Sequence, residues 1–282
     1  FESMVATATY LGIKGTRAVQ VFLPNTYPIG AANPCPTCPS GFAYMTSNGN
    51  STREAGQFQL RRRLHNGFTA SLQYTYAKAF DNAALGGRGQ GTSVMAQNWL
   101  DLSAERGPSS FDQRHQLTLQ GQFTTGVGVG GGTLLRGWKG AAFKGWTFVS
   151  QITAGSGMPL TPTYLAAVMG SGVTGPLRPD VTGASVYAAP SGRFLNPAAY
   201  QLPAAGEWGD AGRNSIVGPG QFVMNASMQR SFGDTDVRFD STNVLNHVTF
   251  PNWNTVVGSA QFGLPNSANA MRSFQATVRW RF

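Results

Sequence analysis

Two cysteines, separated by two residues, form the clearest chemical motif of the chain. Cys35 and Cys38 stand in the sequence Cys-Pro-Thr-Cys. A redox motif with this spacing needs a thioredoxin-like βαβ context, and a zinc site needs a second pair of ligands. The sequence offers neither. We therefore expect a local disulfide that stiffens a loop in an oxidising compartment.

A glycine-rich stretch matches the letters of a dinucleotide-binding fingerprint. It runs from Gly126 to Gly131 as Gly-Val-Gly-Val-Gly-Gly. Such a site needs a strand before it and a helix after it. The residues that follow from Thr133 show neither a capping residue nor a helical period. The stretch is interpreted as a flexible turn, and no cofactor is expected.

The three histidines lie on separate segments of the chain. His65, His115 and His247 form no pair at the spacing of one helical turn, so no metal site is expected. The sequence contains neither a Gly-x-Ser-x-Gly nor a His-Glu-x-x-His motif. Asp112 and His115 lie near the start of one strand, but two such residues in one segment are common by chance. The protein is therefore not expected to be an enzyme.

The composition narrows the fold class. The chain has 282 residues, a formal charge of +9, 12% charged residues and 36 glycines. A disordered chain would be more charged, a helical membrane bundle would need long apolar runs, and a disulfide scaffold would need more cysteines. An all-β protein remains, either a soluble sandwich or an outer-membrane barrel.

The dominant pattern of the sequence is an alternation of apolar and polar residues. From Phe68 to Lys78, for example, phenylalanine, alanine, leucine and tyrosines alternate with threonine, serine and glutamine, as expected for a strand with one apolar face. Strands that cross a bilayer need about 9–11 residues, whereas soluble strands average nearer 5–6. The predicted strands are Met4–Leu11, Gln57–Leu64, Phe68–Lys78, Gln116–Phe123, Trp146–Ala154, Phe222–Ser231, Thr235–Leu245 and Ser273–Phe282.

The connections between these strands alternate between short and long. The tight turns are Leu64–Gly67 and Phe232–Thr235, and a longer glycine-rich turn spans Gly126–Gly145 on the same side. The long polar connections are 12–56, 79–113, 157–221 and 248–271. Asn66-Gly67 supplies the positive φ angles of a type I′ turn. Short periplasmic turns and long extracellular loops are typical of outer-membrane barrels. The sequence therefore predicts an antiparallel transmembrane β-barrel segment of about eight meandering strands.

The aromatic residues lie at positions that suit such a barrel. They cluster near both predicted interfaces, as aromatic girdles do. Those near the short turns are Phe68, Phe123, Trp146, Phe232, Trp280 and Phe282, and those near the long loops are Tyr10, Tyr74 and Tyr76. In the last strand, Phe274, Ala276, Val278, Trp280 and Phe282 share the face that we expect to meet lipid.

Nine of the 21 cationic residues map to the short-turn end of the predicted strands. They are Arg61, Arg62, Arg63, Arg136, Lys139, Lys144, Arg230, Arg279 and Arg281. Nucleic-acid binding would require basic residues interleaved with exposed aromatics in a groove, so no nucleic-acid partner is expected. The alternation instead directs Arg61, Arg63, Arg279 and Arg281 to the barrel interior. They line either a hydrated wall or a positive exit path for anionic cargo. Arg238 and Asp240 share that face and are expected to pair.

Several short motifs resemble the C-terminal region of TonB-dependent outer-membrane receptors. The type that they resemble is the Oar-like receptor, which carries a carboxypeptidase-regulatory-like N-terminal domain. The motifs are Tyr74–Lys78, Phe111–His115, Leu195–Tyr200, Gly209–Ser215, Gly218–Gly220 and Asn243–His247. The sequence departs from the family pattern in the seventh strand, where Ser241, Thr242 and Asn243 replace more apolar residues.

The resemblance implies a barrel of about 22 strands with a plug domain. Residues 1–282 are then expected to be the C-terminal part of that barrel, without the plug and the N-terminal strands. The expected location is the outer membrane of a Gram-negative type of bacterium. The expected partners are outer-membrane lipid and the barrel assembly machinery, which reads a C-terminal signal formed by Phe274, Val278, Trp280 and Phe282. The TonB complex would contact only the absent plug.

The function expected from these features is transport of an unidentified substrate. Aromatic residues in the long loops are candidate substrate contacts, although the same side chains could instead pack the loops against each other. The candidates are Trp99, Tyr164, Tyr187, Tyr200, Trp208 and Trp253. Two alternatives remain open, namely a complete small porin-like or OmpA-like barrel, and a soluble carbohydrate-binding or adhesin β-sandwich.

Overall fold

The structure, a computed structural model, describes residues 3–82, 96–128, 133–170 and 173–282. Its strands are β1 (Met4–Phe22), β2 (Tyr44–His65), β3 (Phe68–Asp81), β4 (Gly107–Pro108), β5 (His115–Thr124), β6 (Thr147–Gly155), β7 (Pro159–Leu160), β8 (Tyr164–Val168), β9 (Val173–Leu177), β10 (Asp180–Val181), β11 (Tyr200–Gln201), β12 (Ile216–Val217), β13 (Gln221–Phe232), β14 (Thr235–Thr242) and β15 (Ser273–Trp280). The helices are α1 (Gly137–Phe143) and two short 3-10 helices, Leu102–Glu105 and Pro197–Ala199. Among the described residues, no helix has the length and apolarity needed to cross a membrane.

The eight long strands form one antiparallel sheet in the order β1-β2-β3-β5-β6-β13-β14-β15, and the short β4 pairs with β3. Each long strand lies beside the next long strand of the chain. Even β6 and β13 are neighbours, although the connection between Gly155 and Gln221 is long. All eight predicted strands are thus confirmed, and so is their meandering antiparallel arrangement.

The register of the sheet separates an apolar face from a polar face. Antiparallel partners place their side chains on the same side of a sheet. One row of partners on the apolar face consists of Phe68, Phe123, Phe148, Met228 and Phe239. One row on the polar face consists of Ser71, Gln120, Gln151 and Asn225.

Large side chains of the apolar face are exposed in the chain. On β15, the exposed fractions of Phe274, Val278 and Trp280 are 72%, 69% and 70%. In a sandwich these side chains would pack against a second sheet. A continuous exposed apolar surface of this kind indicates a partner, and a lipid bilayer fits a whole sheet face.

The short hairpins have the backbone conformations that their sequences predict. In the β2–β3 turn, φ is 53° at Asn66 and 75° at Gly67, and His65 pairs with Phe68. Positive φ at both central residues is the requirement of a type I′ turn. In the β13–β14 turn, Gly233 has a φ of 58°, and Phe232 pairs with Thr235.

The first two strands are longer than predicted, and the long loop expected over 12–56 is wrong. Pairing between β1 and β2 continues from Gly12 and Glu54 out to Phe22 and Tyr44, so the connection is only 23–43. Polar residues occupy both faces of the added pairs, for example Lys14 and Thr52 on one face and Arg53 on the other. Without an apolar face, a strand leaves no alternation in its sequence.

Two other features differ from the prediction. The turn over Gly126–Gly145 contains α1, which sequence reasoning missed because a seven-residue helix without a side-chain cap leaves little signal. The last part of the Gly126–Gly131 motif lies outside the described residues. β14 ends at Thr242 because Asn243 turns the backbone with a φ of 47°. The Asn243 amide then binds the backbone N–H and C=O of His247.

Candidate functional site

The long connections all leave the same end of the sheet because the strands form an antiparallel meander. They are the segments 23–43, 82–114, 156–220 and 243–272. Hydrogen bonds join them to one another. The Trp99 indole N–H donates to the carbonyl of Thr26 at 3.1 Å, and the Gln97 amide donates to the carbonyl of Gly209 at 3.1 Å. We call the described residues of these four segments the loop cap.

The loop cap has a hydrophobic core of its own. Its buried members are Leu195, Ala199, Tyr200, Ala211, Ile216 and Phe262. The rings of Tyr200 and Phe262 meet edge to face with centroids 6.0 Å apart. Arg193 adds a polar link, because its guanidinium donates to the carbonyls of Ala260 and Phe262. The last two long connections are therefore packed together as one unit.

A buried ion pair joins the second long connection to the third. Nη1 of Arg178 lies 2.8 Å and 2.9 Å from the two carboxylate oxygens of Glu105. The backbone N–H of Gln97 also donates to this carboxylate at 3.0 Å, and the side chain of Gln97 accepts from the backbone N–H of Arg178. A buried carboxylate is tolerated when it is paired and hydrogen-bonded in this way.

A second buried arginine fastens the loop cap to the sheet. Arg213 donates through Nε to the carbonyl of Glu105 at 2.8 Å. Its Nη2 donates to the carbonyl of Asp81 at 2.6 Å and forms an ion pair with the Asp81 carboxylate. Since Asp81 is the last residue of β3, one guanidinium fixes the cap relative to the end of a strand.

Asp112 and His115 do not form a catalytic pair. The Asp112 carboxylate accepts from the backbone N–H of Ala79 at 2.7 Å and from Nε of Arg114 at 2.9 Å. Nδ1 of His115 lies 2.7 Å from the Tyr74 hydroxyl instead. Both residues therefore fix the strand ends beneath the loop cap.

The motifs that carry the family resemblance supply much of this framework. Arg213 belongs to the Gly209–Ser215 motif, and Asp112 belongs to Phe111–His115. In the same way, the Asn214 amide donates to the carbonyl of Pro108 at 2.7 Å. Sequence reasoning singled out these motifs but missed Asp81 and Glu105, which are the partners of Arg213, and Arg178, which pairs with Glu105. No local spacing connects Arg178 with Glu105, which is 73 residues away.

The candidate substrate contacts all lie in the loop cap, but their side chains differ in exposure. Tyr200 is buried, and Trp253 stacks on Phe194 with ring centroids 5.5 Å apart. The Tyr187 hydroxyl accepts from the backbone N–H of Val217 at 2.8 Å, while the side chain is 51% exposed. The half-buried candidates are Trp99, Tyr164, Trp208 and Trp253.

Burial also changes the acidity of two of these tyrosines. It raises the pKa of the Tyr200 phenol, although a hydrogen bond with Ser215 partly offsets the effect. Burial raises the pKa of Tyr164 as well, and the negative charge of Asp180 adds to the rise. Both phenols are therefore neutral hydrogen-bonding groups at physiological pH.

A disulfide joins Cys35 and Cys38 in the 23–43 connection, with Cα atoms 5.3 Å apart. The described part of the chain contains no free cysteine and no cluster of three or more potential metal ligands. The disulfide closes a turn in which the backbone N–H of Cys38 donates to the carbonyl of Cys35 at 3.1 Å.

The polar face of the sheet forms a shallow concavity near the loop cap. Its volume is about 200 Å³, and its lining carries amides and hydroxyls but no charged side chain. The lining residues are Gln73, Thr75, Gln113, Gln116, Leu117, Thr118, Thr153, Ala154, Gly155 and Gln221. Such a surface can donate and accept hydrogen bonds, and it has no charged group that would favour an anionic or a cationic ligand.

Charged groups of the polar face are paired near the short-turn end. Arg238 and Asp240 form the predicted ion pair, with a shortest N–O distance of 2.7 Å. Arg281 forms an ion pair with Asp236. Acidic neighbours therefore neutralise part of the positive charge that the sequence predicts on this wall.

Comparison with known proteins identifies the family. A family model described as "Outer membrane beta barrel domain" matches residues 1–275, which locates the protein in the outer membrane. The fold resembles the outer membrane transporter YddB from Escherichia coli, with a TM-score of 0.53 and 10% identity. The match covers 99% of this chain but only 30% of YddB. No curated protein matches the chain. The chain therefore belongs to the outer membrane beta barrel domain family.

Proposed function

We propose that the protein functions in outer-membrane transport, as barrel wall and extracellular loops of a TonB-dependent receptor for an unidentified substrate. The observation that carries the proposal is the combination of an apolar outer face, an uncharged polar concavity and a packed loop cap at one end of the sheet. A wall of this kind borders a hydrated passage, and the cap is placed to meet a ligand before it enters.

The edges of the sheet support a barrel larger than eight strands. β1 and β15 lie at opposite edges of the strand order. An unpaired edge exposes backbone N–H and C=O groups, which cannot face lipid without a large free-energy cost. The edge of β1 is 19 residues long. We infer that further strands pair with both edges, as they would in a receptor of which this chain is the C-terminal part.

The side chains of the polar face also favour a wide barrel. An eight-stranded barrel has an interior that its own side chains just fill. Here the polar face carries mainly glutamine, threonine and serine, as in the row Gln73, Thr118 and Thr153. These side chains suit a wall that borders water or another domain.

TonB dependence rests on the motif resemblance. The motifs hold the loop cap to the sheet through Arg213 and Asp112, so they fit a role in a receptor whose loops are fixed in place. The TonB complex would act on a plug domain and not on these residues. The aromatic side chains of the cap, with the exposed Tyr187 as the first candidate, would contact the substrate.

The test is to isolate the native protein from outer membranes and to measure its size and its conductance in a planar bilayer. We expect a heat-modifiable polypeptide well above 30.0 kDa that is closed on its own, since a plug would block the pore. It should also bind the periplasmic domain of TonB. A 30.0 kDa species that conducts without TonB would instead establish a complete small barrel and overturn the proposal.

A further inference from the structure

The connection between β5 and β6 carries exposed apolar side chains at the short-turn end of the sheet. This connection contains α1, and its residues 133–146 are all described. Leu134, Trp138 and Phe143 are 71%, 72% and 57% exposed. Clustered exposed apolar side chains mark a site of contact with a protein or a membrane, so this surface is expected to have a partner.

Hydrogen bonds fix α1 to the neighbouring strands. Arg230 of β13 donates to the carbonyl of Ala142 at 2.5 Å and also to the carbonyl of Ala141. The Trp146 indole N–H donates to the carbonyl of Ala142 at 3.0 Å. These contacts satisfy carbonyls that the end of a helix leaves free. The position of α1 is therefore set by the sheet.

The residues that hold α1 belong to the lipid-facing side of the sheet. Arg230 pairs with Val237, and Val237 pairs with Val278 on the exposed apolar face. The Arg230 guanidinium lies 4.4 Å from the ring centroid of Phe232 and 5.7 Å from that of Trp146. Because aromatic side chains of this face mark the membrane interface, α1 lies outside the barrel wall at the same level.

The charge of the connection is entirely positive. Arg136, Lys139 and Lys144 lie within it, and the sequence has no acidic residue between Asp112 and Asp180. The Lys139 ammonium lies 5.9 Å from the ring centroid of Trp138, so a cation accompanies the most exposed aromatic side chain. Segments that combine cations with Trp, Phe and Leu bind anionic lipid surfaces in the interfacial plane.

We propose that residues 133–146 form an interfacial foot that binds anionic phospholipids of the periplasmic leaflet. Leu134, Trp138 and Phe143 enter the boundary between headgroups and acyl chains, and Arg136 and Lys139 bind the phosphates. The surface is continuous with the lipid-facing sheet through Trp146, which supports lipid rather than a protein as the occupant. The choice of leaflet rests on the proposed orientation, with short turns in the periplasm.

The first test measures the depth of Trp138. The full-length protein is reconstituted in nanodiscs that contain phosphatidylcholine, phosphatidylglycerol and a lipid brominated near the carbonyl end of its acyl chains. The fluorescence of Trp138 alone is obtained by subtracting the emission of Trp138→Phe from that of the wild type, with and without the brominated lipid. We expect strong quenching of this difference signal. A Trp138 signal that brominated lipid leaves unchanged would overturn insertion of the foot.

The second test measures lipid selectivity by titrating detergent-solubilised protein with phosphatidylglycerol, phosphatidylcholine or lipopolysaccharide. We expect the wild type to bind phosphatidylglycerol at least about fivefold more tightly than phosphatidylcholine, and Arg136→Gln/Lys139→Gln to lose this preference. The control Lys14→Gln/Arg53→Gln removes the same charge from the opposite end of the sheet and should keep it. Equal binding of the two phospholipids, or a preference for lipopolysaccharide, would overturn the proposal. Neither result alters the size and conductance of the receptor, so the proposed function is tested separately.

Discussion

Arg178 and Arg213 are buried guanidinium groups whose acidic partners lie on other segments of the chain. A buried charge has a high desolvation cost, which an ion pair offsets only when further hydrogen bonds complete it. The planar guanidinium allows Arg213 to reach two carbonyls and one carboxylate at once. At the scale of single residues, Arg178 holds two connections of the loop cap together, and Arg213 fixes the cap to the end of β3.

Replacing Arg178 by Leu should therefore loosen the loop cap. The substitution leaves the Glu105 carboxylate buried and unpaired, which costs about 3–5 kcal/mol. Hydrogen exchange should rise over residues 96–113 and 177–182, while the sheet strands stay protected. Arg238→Leu is the matched control, since it breaks a largely exposed ion pair worth about 0–1 kcal/mol. Equal exchange in the two variants would contradict the anchoring role of Arg178.

The loop cap should also become less stable at high pH because of Tyr200. Its pKa is raised in the folded chain, and an unfolded tyrosine ionises near pH 10. The neutral Tyr200 phenol therefore makes its full contribution to the stability of the folded cap below about pH 10. This contribution is lost as the pH rises through the folded pKa. We expect Tyr200→Phe to reduce the alkaline increase in proteolysis of the cap between pH 9 and 11. An unchanged pH dependence would show that Tyr200 is not the sensitive group.

At the scale of single residues, the sequence predicted less than at any other scale. It identified the motifs that contain Asp112 and Arg213, because these residue types recur in a known order. It did not identify Glu105, which accepts from Arg213, or Arg178, which pairs with Glu105, since such long-range partners leave no local period. The loop aromatics were predicted only as a set, and the structure shows that Tyr200 packs inside the cap while Tyr187 stays accessible.

The strands were predictable wherever one face meets lipid and the other meets water. This contrast produced the alternation from which all eight strands were assigned. The outer halves of β1 and β2 have polar residues on both faces, so their sequence reads as a loop although the two strands pair there, with register shifts on either side of Ala18. The helix α1 was missed because it has only seven residues and no side-chain cap, so its sequence carries little helical signal.

The two faces of β15 should respond oppositely to an added charge. Ala276 pairs with Phe239 on the apolar face, and its neighbour Gln275 pairs with Asp240 on the polar face. Ala276→Arg should cost about 2–4 kcal/mol of folding stability in lipid, whereas Gln275→Arg faces a carboxylate and should be tolerated. The measurement is the free energy of unfolding of the full-length protein in liposomes. Similar losses in both variants would refute the assignment of the faces.

At the scale of the whole molecule, the alternation of short and long connections distinguishes the two ends of the barrel and so predicts its orientation in the membrane. The structure confirms that the long connections share one end of the sheet, but which end faces the cell exterior is a prediction. Residues 181–192 lie in the third long connection, and all of them except Val186 and Ala189 are exposed. Proteinase K added to intact cells should therefore cut there first. Cleavage at Asn66-Gly67 instead would invert the orientation.

Assembly of the whole barrel should depend on the apolar stripe of β15. Phe274, Val278, Trp280 and Phe282 are highly exposed in this chain and thus add little packing to the sheet. If the assembly machinery reads this stripe, Phe282→Ala in the full-length protein should lower the amount of heat-modifiable barrel in outer-membrane fractions. The decrease should be larger than the loss of burial of the Phe282 ring, worth about 1.5–3 kcal/mol, would cause by itself. Arg281→Ala is the control on the opposite face, because it removes the ion pair with Asp236 but leaves the stripe intact. Wild-type assembly of Phe282→Ala, or an equal defect in Arg281→Ala, would show that the terminal ring is not part of a signal.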